Sequence, residues 1–242
     1  MKSAVLWFCM ALSFPSVSFS EELHVLSGGA ARGFIEPLAA KYTRHKILID
    51  FQTMGHVQKT MAGAEARKYD MLIVTPEVAA KLKVQAKPLA RVGIGVAVHE
   101  GAPLPDISTP AALKQTLLAA KSVVYINPET GTSGKYVLEA FRKMGIEQAM
   151  KSKTTLVDSG YAVAPVGEGK VELGIHQISE ILPVKGVKLV GPLPAELQRY
   201  TVYAGAMAPG TPRAAAVREF LRYLSSPEAR AGLAKAGYSA PE

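Results

Sequence analysis

The chain has 242 residues, with 28 Lys and Arg against 20 Asp and Glu, a formal charge of +8, and a single cysteine. That length supports a hydrophobic core without covalent staples, and one cysteine excludes both a disulfide framework and a multi-thiolate metal site. The positive excess is moderate and spread out, with no basic helix interleaved with aromatics. This argues against a nucleic-acid partner and leaves a surface suited to small anions.

The first twenty residues read as a targeting segment. Met1-Lys2-Ser3 is basic, residues 4–14 are apolar, and Ser18 and Ser20 are small residues just before Glu21-Glu22. Cleavage after Ser20 and release into the periplasm are expected. The apolar run is too short to span a bilayer. Cys9 lies inside this segment, next to Leu6-Trp7-Phe8, which lack the small residues of a lipoprotein cleavage site, so the mature chain carries no thiol.

Beyond it, strand and helix alternate. Strands are expected at 23–26, 47–52 and 71–74. Each is followed by a helix: 34–42 with Pro37 delaying or kinking it, one from Thr53-Met54-Gly55 to 61, and one opened by Thr75-Pro76-Glu77 and reaching 84. The short, continuously apolar run Met71-Leu72-Ile73-Val74 suits a parallel sheet covered on both faces. Residues 92–98, apolar with Gly93 and Gly95, read as a crossing into a second lobe. That lobe is expected to hold helix 109–120, strand 123–126, a helix after the 130–134 loop, strand 154–157 with Asp158-Ser159-Gly160 capping a helix, strand 173–178 running on into Ser179-Glu180, and strand 188–190. Residues 201–207 return the chain to the first lobe, and helices 212–224 and 227–236 close it.

The fold class is therefore α/β, with two doubly wound lobes joined by two crossing strands. Residues 1–20 are the signal, 21–95 the first part of lobe 1, 96–195 lobe 2, and 196–242 the return to lobe 1. Hinge closure about 92–98 and 199–207 is the expected motion.

Two strand–loop–helix units stand out. In one, a strand ends in Ser27-Gly28-Gly29-Ala30 with Arg32 just inside the helix. In the other, a strand ends in Asn127 and a loop of Thr130-Gly131-Thr132-Ser133-Gly134 precedes the helix. Glycine lets a ligand approach the backbone, and a helix N-terminus presents unpaired N–H groups and partial positive charge to an anion. Arg32 adds a bidentate donor for a carboxylate. The bland reading is that these glycines only pack helix on strand. Substituting Gly134 by Val separates the two: an anion site predicts lost affinity with the fold spared, and packing predicts lost stability. Asn127 either meets the ligand or holds its own Asn-Pro turn. Ser159-Gly160 before Tyr161 is a third anion-facing candidate. His176 and Gln177 end a strand where clefts of parallel sheets form, and His176 is a weak candidate for a general acid or base; otherwise it is a core histidine satisfied by backbone. His24, His45 and His99 lack metal-ligand spacing, so no metal site is expected. No serine-hydrolase elbow or phosphate-binding Walker loop is present.

The chain resembles the periplasmic molybdate-binding protein family, within the type II periplasmic solute-binding proteins. The resemblance rests on Ser27-Gly28-Gly29-Ala30, Ala62-Gly63-Ala64 before Tyr69-Asp70-Met71-Leu72-Ile73, Asn127-Pro128-Glu129 with Ser133-Gly134, Leu173-Gly174-Ile175, and residues 185–190. It implies ligand held in an interlobe cleft and delivery to an ABC transporter permease. Molybdate-binding members use two serine hydroxyls, a tyrosine hydroxyl and backbone N–H groups. These hydroxyl positions fall here on Ala30, near Met54 in Thr53-Met54-Gly55, and near Gln177; only the loop position at Ser133 is kept. A buried oxyanion without donors is costly, so an organic carboxylate is expected instead. Residues 92–98, 105–110, 176–182 and 191–194 resemble a divergent branch of the family that includes the enzyme aconitate isomerase.

The main reading is a monomeric periplasmic solute-binding protein for a small di- or tricarboxylate, with no metal, cofactor or nucleic acid. Its cleft is lined by Ser27, Gly28, Gly29, Ala30, Arg32, Thr53, Met54, Gly55, Asn127, Thr130 to Gly134, Ser159, Gly160, His176 and Gln177. The alternative is a cofactor-free isomerase interconverting cis- and trans-aconitate. A second alternative is capture of molybdate or tungstate. The sequence leaves the ligand, the transporter partner and any catalytic base open.

Overall fold

The computed structural model describes residues 21–241. The secretory signal read over 1–20, with Cys9, lies outside the described residues.

Strand β1 (Glu22–Gly28) leads through one 3-10 turn (Gly29–Ala31) into helix α1 (Arg32–Lys41), followed by β2 (Lys46–Gln52), α2 (Met54–Ala62), β3 (Met71–Val74) and α3 (Pro76–Lys81). β1 is paired in parallel with β2 on one side and β3 on the other. The long β4 (Ala86–His99) then crosses into the second group of elements: α4 (Pro110–Ala119), β5 (Val123–Ile126), α5 (Thr132–Lys143), α6 (Glu147–Met150), β6 (Thr154–Val157), α7 (Ala164–Gly167), β7 (Leu173–Gln177), α8 (Ile178–Ile181) and β8 (Val187–Pro192). Here β5 is parallel to β6 and β7. β9 (Tyr200–Met207) returns antiparallel between β3 and β4, before α9 (Ala214–Leu224), α10 (Pro227–Ala231) and a short β10 (Tyr238–Ser239) on β4.

The strand order is β2-β1-β3-β9-β4-β7-β5-β6, with β8 and β10 also on β4. β4 is the shared element. Its residues Ala86 to Gly93 pair with β9, and Ile94 to Val98 pair with β7. The return crosses at the same point. Leu193 N–H donates to the Ile94 carbonyl at 3.0 Å. The Gln198 side chain brackets Ile94, accepting from its N–H at 2.8 Å and donating to its carbonyl at 2.9 Å.

Local chemistry explains the helix starts. Thr75, Thr109 and Ser226 accept from the N–H three residues on, at 3.4, 3.1 and 3.2 Å, and each is followed by proline at the first helical position. That pairing uses an orphan N–H and a residue that lacks one. The core divides with the sheets. One cluster holds Leu23, Leu26, Ile35, Met71, Leu72 and Phe220; another holds Ile94, Leu113, Leu117, Phe141 and Met150. Phe220 and Phe141 are essentially unexposed, so truncating either to alanine would cost about 3–5 kcal/mol.

Several expected elements shift. α1 begins at Arg32 and runs through Pro37. Strand 92–98 extends back to Ala86, because β9 supplies partners for the polar half too. Strand 173–178 stops at Gln177, and Ser179-Glu180 belong to α8. Asp158-Ser159-Gly160 does not cap a helix: α7 begins only at Ala164, and the Asp158 carboxylate accepts instead from Asn127 Nδ2 at 2.8 Å.

Candidate functional site

A cavity of about 160 Å3 opens where the C-terminal ends of β1, β2, β5, β6 and β7 converge, the usual ligand position in an open α/β sheet. It is well below the ~300–1,000 Å3 of drug-sized sites and admits only a small ligand. Its walls come from both sheets. β1 and its turn give Gly28, Gly29, Ala30 and Arg32; the β2–α2 junction gives Phe51, Gln52, Thr53 and Met54. Across the cleft stand Ile126, Gly131, Thr132 and Ser133 from β5–α5, and Ser159, Gly160 and Tyr161 after β6. Gln177, Glu180 and Tyr203 close the floor.

The first loop is tight. A Cβ on Gly28 would collide with the Met54 methyl and stand 2.8 Å from the Tyr203 ring. The Ala30 carbonyl accepts from the hydroxyls of Ser179 and Tyr238, which fixes the turn from behind. Arg32 reaches the wall with its guanidinium 3.9 Å over the Phe51 ring and 2.7 Å from Glu36. Its side chain stays 41% exposed, so it remains open to a ligand carboxylate.

The second loop offers backbone. Gly131 gives α5 no side-chain cap, so the first N–H groups of a twelve-residue helix have no intrahelical partner, and Thr132 and Ser133 lie on the cavity wall. Gly160 carries φ +78°, a conformation that favours glycine.

Glu180 is the chemically distinctive wall residue. Its side chain is 13% exposed, and burial pushes its carboxyl up to about 8 against the opposing pull of Arg32. Its Oε2 lies 3.3 Å from His176 Nδ1, and its Oε1 would be 3.4 Å from a Cβ on Gly29. Burial pushes His176 down to about 4, with the Gly160 carbonyl pulling the other way. Burial also raises Tyr203, reinforced by Glu180. Asp70 makes the contrast. Burial raises it too, but donors from His24 N–H, Thr211 and Arg213 outweigh this and hold it below the usual carboxylate range. Asp70 is a structural acid kept ionised, while Glu180 is left neutral and facing a cavity, the pattern of a working acid or base.

Of the residues expected to line a cleft, Gly28, Gly29, Ala30, Arg32, Thr53, Met54, Gly131, Thr132, Ser133, Ser159, Gly160 and Gln177 form the cavity wall. The Gln177 amide is turned to Thr201 at 2.6 Å and Tyr203 at 3.2 Å. The others lie off it. Ser27 is fully buried and its hydroxyl donates to the Gly28 carbonyl. Asn127 bonds Asp158 and the Glu129 N–H, and Thr130 donates to the Asp158 carbonyl at 2.9 Å, so both tie loops together. A Cβ on Gly55 would stand 3.6 Å from the Thr130 carbonyl. Gly134 sits against β5, where an added Cβ would collide with the Ile126 carbonyl. His176 stands behind the wall. Phe51, Gln52, Ile126 and Glu180 escape a reading of loops. Glu180 lies in α8, just past the end of β7, and no periodicity along the chain marks it.

Comparison with known proteins agrees with this architecture. A sequence model of the bacterial extracellular solute-binding protein family matches residues 23–239. Aconitate isomerase of a Pseudomonas species is 31% identical over 231 residues, covering 89% of this chain and 86% of that protein. Solved structures share the fold. The periplasmic molybdate-binding protein of Azotobacter vinelandii aligns with TM-score 0.68 at 19% identity over 91% of this chain and all of that one. The sulfate-binding protein SubI of Mycobacterium tuberculosis aligns with TM-score 0.70 at 14% identity over 92% and 88%. Peb3 of Campylobacter jejuni aligns with TM-score 0.67 at 18% identity over 90% and 100%. The chain belongs to the bacterial extracellular solute-binding protein family, with the α/β fold of the type II periplasmic binding proteins.

Proposed function

We propose that this chain is a cofactor-free isomerase of a small unsaturated polycarboxylate, and that aconitate is its substrate. The observation that carries the reading is Glu180, a carboxyl at about 8 on the wall of a small cavity. A neutral carboxyl there can donate a hydrogen bond to a bound carboxylate and, unlike a fixed donor, can also carry a proton to and from it. The 31% identity to aconitate isomerase supports the same reading. It reverses the order of the two readings drawn from sequence, which placed simple capture first.

The chemistry needs one base and a place for charge. Arg32 anchors one carboxylate by charge-assisted hydrogen bonds. Near its pKa of about 8 Glu180 samples both forms, and the ionised form takes a proton from the methylene carbon. The C–H electron pair enters the adjacent π system and its charge spreads onto a carboxylate oxygen. Backbone N–H groups of Thr132 and Ser133 stabilise that oxygen. The proton returns to the far allylic carbon, so the double bond shifts and Glu180 is regenerated. A base at about 8 is strong enough to take the proton and weak enough to give it back. Ala30 and Met54, where molybdate-binding members have hydroxyls, favour a carbon skeleton over a metal oxyanion.

The mature protein, which we take to begin at Glu21 after periplasmic export, should be incubated with cis-aconitate and followed by proton NMR. Appearance of the trans isomer is expected. Aconitate that raises the melting temperature but is never isomerised would mean capture alone, the role for which a transporter partner follows. Stabilisation by molybdate and by no carboxylate would overturn both.

A further inference from the structure

We propose that the hydroxyls of Ser179 and Tyr238 are positioning groups for the site: by sharing the Ala30 carbonyl, they hold the turn that presents Arg32 at a fixed distance from the helix that presents Glu180. The catalytic meaning of this clasp rests on the isomerase reading above; its physical content rests on hydrogen bonds and packing. The Ser179 hydroxyl donates to the Ala30 carbonyl at 3.0 Å, and the Tyr238 hydroxyl donates to the same oxygen. A carbonyl oxygen has two lone pairs and can accept both. Ala30 and Arg32 lie on the cavity wall, and Ser179 immediately precedes Glu180 in α8. Ser179 is 149 residues from Ala30, and Tyr238 is 208. The gap between Arg32 and Glu180 is therefore set by tertiary contact, and these are the hydrogen bonds made there.

The surroundings hold the clasp. Ala30, Ser179 and Tyr238 are each 4% exposed, so water competes little for the carbonyl. The Tyr238 ring meets Phe34 of α1 edge-on, with centroids 5.2 Å apart. A Cβ on Gly33 would stand 3.2 Å from the Tyr238 hydroxyl oxygen, so the start of α1 comes this close because residue 33 has no side chain. Gly237 has φ +81°, and a Cβ there would lie 2.9 Å from Ile178 Cγ2 and 3.2 Å from the Ser179 backbone nitrogen. β10 is in turn tied to the long crossing strand, with Tyr238 opposite Val92. Burial raises the Tyr238 phenol above its usual range, which keeps it a donor at any working pH. The C-terminal strand thus serves the site from behind the wall. An anchor and a base act together only when the bound methylene sits within reach of the base, and small misplacements are costly.

The test uses the whole mature protein. Tyr238→Phe keeps the ring and removes one donor; Ser179→Ala removes the other. With alanine carbonyls labelled by carbon-13, the Ala30 signal should move upfield in each single variant and further in the double. With aconitate, kcat should fall about tenfold in each single variant with KM little changed, because Arg32 and Glu180 are both still present. The double variant should lose less than the product of the two, since both hydroxyls act on one carbonyl. Ser179→Thr, which keeps the hydroxyl, should recover most of the kcat. If the Ser179 variants do not fold, Tyr238→Phe, which differs by one oxygen atom, decides. A purely structural role predicts a lower melting temperature with kcat of the folded enzyme unchanged; that result would overturn the proposal, as would an Ala30 signal that ignores both substitutions. An Ala30 signal that moves as expected in a protein that never turns over aconitate would sink the isomerase reading and leave the hydrogen-bonded clasp standing.

Discussion

The two glycine-rich loops look alike in sequence and differ in what surrounds them. The loop after β1 lies beside Arg32, Glu180 and the buried Tyr203, so charge and a movable proton gather around it. The loop before α5 brings no titratable side chain of its own to the wall; it offers Thr132 and Ser133 on an uncapped helix start. On this account the first loop carries the chemistry and the second supplies neutral grip. Its lesson is that a glycine-rich cradle acquires function from what the fold sets opposite it.

The largest expected effect breaks the second loop. Gly134→Val drives a branched side chain into the Ile126 carbonyl, and backbone cannot yield as a side chain can. Overpacking of this kind should lower the melting temperature by roughly 5–10 °C, while the folded fraction keeps near-normal carboxylate affinity in calorimetry. Lost affinity at an unchanged melting temperature would return Gly134 to the anion site.

Arg32→Ala probes the first loop. The exposed Arg32–Glu36 pair contributes little to stability, so melting should move by a degree or less. Losing a charge-assisted bond to the ligand should weaken a tricarboxylate about tenfold to a hundredfold. Equal affinities for wild type and variant would remove Arg32 from the site.

A smaller effect appears in the pH dependence of stability. Glu180 is raised from 4.5 to about 8 in the folded chain, so between those values the folded state holds a proton that the unfolded state has released. Its stabilising contribution is therefore complete below about 4.5 and is lost as pH rises through about 8. In Glu180→Gln the decline in melting temperature between pH 5 and 8 should flatten by a few degrees. An unchanged slope would mean that Glu180 ionises normally.

Much of this was legible in the sequence. Continuous apolar strands, Thr-Pro and Ser-Pro helix starts and regular alternation mark a doubly wound α/β fold, because they follow from local chemistry and burial. Residues at strand ends, such as Gly28, Thr53, Ser133 and Gln177, could be placed near a cleft because parallel sheets put ligands there. The rest depends on tertiary contact. Gly134 and Gly131 read as anion glycines, yet both lie against Ile126, and Asn127 serves its own loop. Glu180 went unremarked because an acidic residue after a strand is ordinary; its burial on the cavity wall, only partly offset by Arg32, makes it otherwise. None of these surroundings is fixed by spacing along the chain.

The most direct measurement compares wild type with Glu180→Gln on one substrate, reading affinity by calorimetry and turnover by proton NMR. The amide keeps the shape of the side chain and removes the proton carrier. The account predicts that the variant binds aconitate at least as well as wild type while interconversion falls by about 10^2–10^4-fold, the usual share of a general acid–base group. Turnover that survives the substitution would contradict it, as would a wild-type protein that binds aconitate and leaves it unchanged.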